Sequence, residues 1–172
     1  MGLEWRDAVA LMGGHTLGRG TQHQGTWVGD DQETHMFDKR YYEEIFDKTW
    51  WPRNDERPAF DWVTTRGNSV EGLMLNTDIC LAFDIDEVES GGSPCCTEIN
   101  DECTGPESRQ RTCPMAHMHS SREAVEEMLG RGAHPHPNAP FYNAFTEAWR
   151  KATTVGQDNL SPLVESCDSL FK

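Results

Sequence analysis

Asp7-Ala-Val-Ala-Leu-Met-Gly-Gly-His15-Thr-Leu-Gly-Arg19 is the stretch on which the reading of this chain turns. Its apolar residues recur at helical spacing, and two glycines then release the chain at a single histidine. The segment predicts a helix over Leu3–Gly13 with Leu3, Val9, Leu11 and Met12 inward. A second stretch, Gly72-Leu-Met-Leu-Asn-Thr-Asp78-Ile-Cys-Leu-Ala-Phe-Asp84, places a carboxylate at the start of another helix. A histidine that donates its ring N–H to a carboxylate has a fixed tautomer and a more basic second nitrogen, which suits it to a metal. Asn-Thr-Asp is also an ordinary helix N-terminus, where a carboxylate favours the dipole; the two roles are compatible.

Further landmarks lie between and beyond these segments. Gly25-Thr-Trp27 follows the histidine, and Met36-Phe-Asp-Lys-Arg-Tyr-Tyr-Glu-Glu-Ile45 opens an aromatic-rich helix. That helix is expected over Arg40–Trp51, stopped by Pro52, with Tyr41, Tyr42, Ile45, Phe46 and Trp50 on its apolar face. A short strand pair is expected around Leu73–Leu75, then a helix over Thr77–Phe83 with Asn76 or Thr77 as N-cap. Ser120-Ser-Arg-Glu123 reads as a capping box opening a helix to Leu129, with Gly130 as its stop. Phe141–Val155 is the clearest helix, with Phe141, Ala144, Phe145, Ala148, Trp149 and Ala152 in register.

In their order, these landmarks resemble the haem peroxidases of the plant, fungal and bacterial superfamily, and most closely the class I branch of ascorbate and cytochrome c peroxidases. The resemblance covers residues 1–85 and 137–156. It implies that His15 is the proximal ligand of haem b iron and that Asp78 accepts its N–H. It also implies that Trp27 is the proximal tryptophan that can carry an oxidising equivalent. Arg19 and His23 fall where the family has polar residues near the haem propionates; a solvated loop is the other reading of both. The family's distal arginine and histidine precede the proximal histidine on one helix. They act on peroxide as charge stabiliser and general base. Only fourteen residues precede His15 here, with Arg6 but no histidine among them. Arg111 and His117 fall in a Cys- and Pro-containing stretch after the proximal elements. The expected fold is therefore mainly α, the proximal half of the peroxidase helical fold with a Cys-rich irregular insertion. Its segments are 1–86 (proximal helices), 87–136 (Cys-rich insertion with a short helix), 137–156 (last core helix) and 157–172 (tail).

Composition narrows the function classes. The 172 residues carry a net charge of −14, which disfavours nucleic acid and anionic membrane surfaces. No apolar run reaches the ~18–20 residues of a membrane helix, although peripheral association with a membrane complex stays open. Met1-Gly-Leu-Glu-Trp-Arg enters a helix at once, with no signal peptide, as expected of a fragment, a processed product or a chain whose beginning lies outside this sequence. Four of the six cysteines lie within nineteen positions, in a stretch too polar to order itself by burial. Disulfides among Cys95, Cys96, Cys103, Cys113 and Cys167 are expected, with Cys80 a buried thiol. They place the chain in an oxidising compartment: a thylakoid lumen, a mitochondrial intermembrane space or outside the cell. Zinc on the cysteines with His117 and His119 is disfavoured because no C-x-x-C spacing occurs. His134-Pro-His136-Pro reads as a stiff exposed turn, and Asp84, Asp86, Glu87 and Glu89 as a solvated acidic loop.

Three functions follow. The favoured one is a peroxidase-derived subunit without the distal half, an accessory part of a larger protein assembly such as an organellar energy-converting complex. The first alternative is the haem-binding proximal half of a peroxide-reducing enzyme, completed by residues or a chain outside this sequence. The second is a Cys/His metal-binding module.

Overall fold

The computed structural model describes residues 2–20, 25–26, 34–52, 61–66, 69–83, 96, 120–132 and 136–160. Helices hold more of these residues than strands do. The helices are Trp5–Met12 (α1), Arg40–Asp47 (α2), Asn76–Ile79 (α3), Ser120–Leu129 (α4) and Ala139–Thr154 (α5), with a 3-10 turn at Gly13–Thr16. The strands are Arg19–Gly20 (β1), Gly25–Thr26 (β2), Trp51–Pro52 (β3), Asp61–Arg66 (β4) and Ser69–Leu75 (β5). They form one sheet in the order β1-β2-β5-β4-β3, in which β2 runs parallel to β5 and the other neighbours are antiparallel. The expected strand pair is thus the centre of a wider sheet, which β2 joins from a distant part of the chain through Thr26 opposite Gly72.

α1 packs against α4 and α5. Its first turn is secured by Asp7, which accepts the Glu4 N–H at 3.1 Å and both contacts of the Lys151 ammonium at 2.7 and 2.8 Å. Val9 and Ala10 are buried, whereas Leu3, Leu11 and Met12, expected inward, are only partly covered. The helix tightens into the 3-10 turn at Gly13 because neighbours press on it there. A Cβ at Gly13 would overlap the Phe141 ring and the Tyr42 hydroxyl. Gly13→Ala should therefore cost about 1–3 kcal/mol by overpacking, read as a lower urea midpoint at unchanged slope. A change below a few tenths would mean that Phe141 yields.

The Asp7–Lys151 pair sets an acid limit. Lys151 is the main cause holding the Asp7 carboxyl below the usual carboxylate range. A depressed carboxyl stabilises the fold above its unfolded pKa, about 3.9, and that contribution fades as pH falls through the lower folded value. Half of the pair is exposed, so its worth is on the order of 1 kcal/mol. Asp7→Asn should be less stable than wild type at pH 7, and the gap should close below about pH 4. A gap independent of pH would remove the ion pair as its cause.

α2 buries Tyr41, Tyr42, Ile45 and Phe46, as the apolar pattern requires. It ends at Asp47 rather than Trp51. Trp50 leaves the helix to exchange both backbone hydrogen bonds with Cys96, at 2.8 and 2.9 Å, while its indole donates to the Glu44 carbonyl at 3.0 Å. Trp51-Pro52 then pairs with Trp62–Val63 on the sheet edge, where a missing N–H is tolerated. Gly72 leaves room for the Trp50 indole and Thr64.

α3 is a single turn, shorter than the expected Thr77–Phe83 helix, and its N-cap is Leu75 rather than Asn76 or Thr77. Ile79, Leu81, Ala82 and Phe83 are buried, but Cys80 is reduced and exposed, which corrects the expectation of a buried thiol. Cys96 is disulfide-bonded, while Cys95, Cys103, Cys113 and Cys167 lie outside the described residues. α4 runs from Ser120 to Leu129 and stops at Gly130, whose φ is +60°. On α5, Phe141, Ala144 and Ala148 are buried, but Trp149 is 57% exposed.

Candidate functional site

His15 and Asp78 meet. The His15 Nδ1 lies 2.9 Å from the Asp78 Oδ1 across 63 residues of sequence. A carboxylate only accepts, so the imidazole donates through Nδ1 and its acceptor nitrogen is Nε2. Two local devices place the pair. The 3-10 turn after α1 carries His15, with Thr16 fully buried behind it. Asp78 sits in the first turn of α3, where its Oδ2 accepts the Leu75 N–H at 2.7 Å. A helix start thus orients the carboxylate before any ligand is considered.

Asp78 is completely buried, a costly position for a carboxylate unless donors surround it. It has a third donor in the Tyr41 hydroxyl, at 2.6 Å from Oδ1. Tyr41 is itself fully buried, and its ring stands edge-on to His15, with centroids 5.8 Å apart at 85°. Burial above all, then the Asp78 charge, lifts the Tyr41 phenol well above its ordinary pKa. Tyr42 next to it donates to the Val9 carbonyl at 2.8 Å and ties α2 to the end of α1. Asp38 braces the other side. It accepts from the Thr16 hydroxyl at 3.1 Å, the Arg40 N–H at 3.0 Å and the Arg40 guanidinium at 3.1 Å.

The His15 side chain is 34% exposed, so the imidazole reaches the surface while its partner stays inside. Apolar side chains are exposed in the same neighbourhood. Leu17 is two residues along, Met36 accepts the Thr16 hydroxyl through its carbonyl, and Leu75 donates to Asp78. One imidazole oriented by a buried carboxylate is a donor that fits a haem iron. Among the described residues no group of three or more His, Cys, Asp or Glu could hold a metal ion by itself.

Of the other sequence candidates, Arg19 has its backbone in β1 opposite Thr26. Trp27, His23, Arg111, His117 and His119 lie outside the described residues. Sequence reasoning missed Tyr41 and Asp38 as parts of the site. Spacing puts Tyr41 on the apolar face of α2, yet a buried tyrosine hydroxyl needs a partner, and that is the signal that could have pointed to it.

The chain matches no protein-family model, and none of the curated proteins matches it. No helix among the described residues is long and apolar enough to cross a membrane.

Proposed function

We propose that this chain supplies the proximal, haem-ligating side of a haem-peroxidase-type site. His15 is the iron ligand through Nε2, and Asp78 is the acceptor that strengthens it. The observation that carries this reading is the 2.9 Å His15–Asp78 contact on a fully buried carboxylate. An isolated surface histidine needs no such partner. Held this way, the imidazole keeps one tautomer and one orientation and gains basicity as a ligand. Haem, when bound, would supply the redox chemistry on peroxide. The chain's own residues bind and orient it.

The test is a haemin titration followed by optical and resonance Raman spectra, with peroxide turnover measured on the same sample. The expected result is stoichiometric uptake with an iron–histidine signature and turnover no faster than free haem, for want of distal groups. No ligated band would reject the reading. Fast saturable turnover would show that a complete catalytic constellation is present.

The second reading is an accessory, peroxidase-derived part of a larger assembly, in an oxidising compartment. The exposure of Trp5 at 60% and Trp149 at 57% supports it, since large aromatics in water favour a protein partner. The disulfide at Cys96 supports the compartment. A haem-free chain that sediments as a complex would favour this second reading over the first.

A further inference from the structure

We propose that Tyr41 tunes the reduction potential of an iron ligated by His15, by competing with the His15 N–H for one oxygen of Asp78; this rests on the haem-ligand reading above. The Asp78 Oδ1 accepts from both the Tyr41 O–H, at 2.6 Å, and the His15 Nδ1–H, at 2.9 Å, while Oδ2 accepts the Leu75 N–H at 2.7 Å. The tyrosine bond is the shortest of the three and lies in the charge-assisted O–H···O⁻ range. Each donor draws electron density from the carboxylate and weakens it as an acceptor for the others. The shared oxygen makes the competition direct. With Tyr41 present, the His15 N–H is held less strongly and the ring is less anionic. The ligand then donates less to iron, and the ferric state is less favoured.

The fold keeps this hydroxyl in place. Tyr41 is fully buried on α2. Its ring packs edge-on against both His15 and Tyr42, with centroids 5.8 and 5.0 Å away. Tyr42 in turn is anchored to the Val9 carbonyl. Tyr41 acts through Asp78 and His15, so it is a positioning residue rather than a catalytic one.

The experiment is a spectroelectrochemical titration of haem-loaded wild type, Tyr41→Phe and Asp78→Asn. Tyr41→Phe should retain haem and favour iron(III) on the order of tenfold, a downward shift of ~59 mV for one electron. Its ferrous iron–histidine stretch should rise in frequency. Asp78→Asn should move both quantities the other way. A packing role alone would give no such opposed pair. If Tyr41→Phe fails to fold, 3-fluorotyrosine placed at position 41 keeps the shape and donates more strongly, so the potential should rise. A haem-loaded variant with unchanged potential and stretch overturns the proposal. A wild-type chain that takes up no haem overturns the reading beneath it. The competition is then read in the haem-free protein by NMR, where Tyr41→Phe should move the His15 Nδ1 proton downfield and an unmoved proton rejects it.

Discussion

His15→Ala should abolish the ligated haem band completely while leaving the fold intact. The imidazole is the sole group offered to iron by the His15–Asp78 arrangement, so its loss removes the coordinate bond rather than weakening it. The fold should survive because His15 is a third exposed, and because Asp78 keeps its donors from Tyr41 and Leu75. The expected stability change is about 1–2 kcal/mol, for the one hydrogen bond that the buried carboxylate loses. Haemin titration monitored in the Soret region, beside urea unfolding of the haem-free chain, separates the two effects. A variant with the wild-type spectrum would show that another residue holds the iron. A variant that unfolds would show that His15 is a structural residue.

Asp78→Ala should be the most destabilising substitution in the site. It removes a fully buried acceptor and leaves behind the buried Tyr41 hydroxyl and the Leu75 N–H. Each orphaned donor costs about 1–3 kcal/mol, and α3 loses the carboxylate that closes its first turn. Together these give a loss of roughly 3–5 kcal/mol, a large share of the 5–15 kcal/mol typical of a domain. Asp78→Asn keeps an acceptor oxygen and should cost less than half as much. Denaturant unfolding of the haem-free proteins checks both. Equal losses for the two variants would mean that charge, not the hydrogen-bond count, holds the pair. A loss under 1 kcal/mol for alanine would mean that water enters and replaces the carboxylate.

How much of this was legible in advance depends on how far apart the interacting residues lie. α1, α4 and α5 were readable because their signals are local: apolar residues three and four apart and, for α4, a glycine at Gly130. His15 at a helix end and Asp78 at a helix start were readable for the same reason. The end of α2 was not. Trp50 is a good helix face residue by spacing, but its backbone pairs with Cys96, 46 residues away, and the helix yields to that ladder. Cys80 sits in an apolar run and yet faces water, because a single helical turn followed by tighter turns changes which side is inward. Trp149 fits the α5 pattern and still lies outside, at the edge of the stripe that α1 and α4 cover.

The sequence by itself determined the local frame of this protein. It specified that α1, α4 and α5 form, set His15 at one helix end and Asp78 at another helix start, and fixed a net charge of −14. Only the tertiary structure decided that His15 and Asp78 touch, that Tyr41 shares the same carboxylate oxygen, and that Trp51-Pro52 joins a sheet instead of prolonging a helix. Helix periodicity and capping are encoded within a few neighbouring residues. A buried carboxylate finds its donors only when distant elements pack, because desolvation makes each unpaired polar group costly and so selects the one arrangement in which all are met.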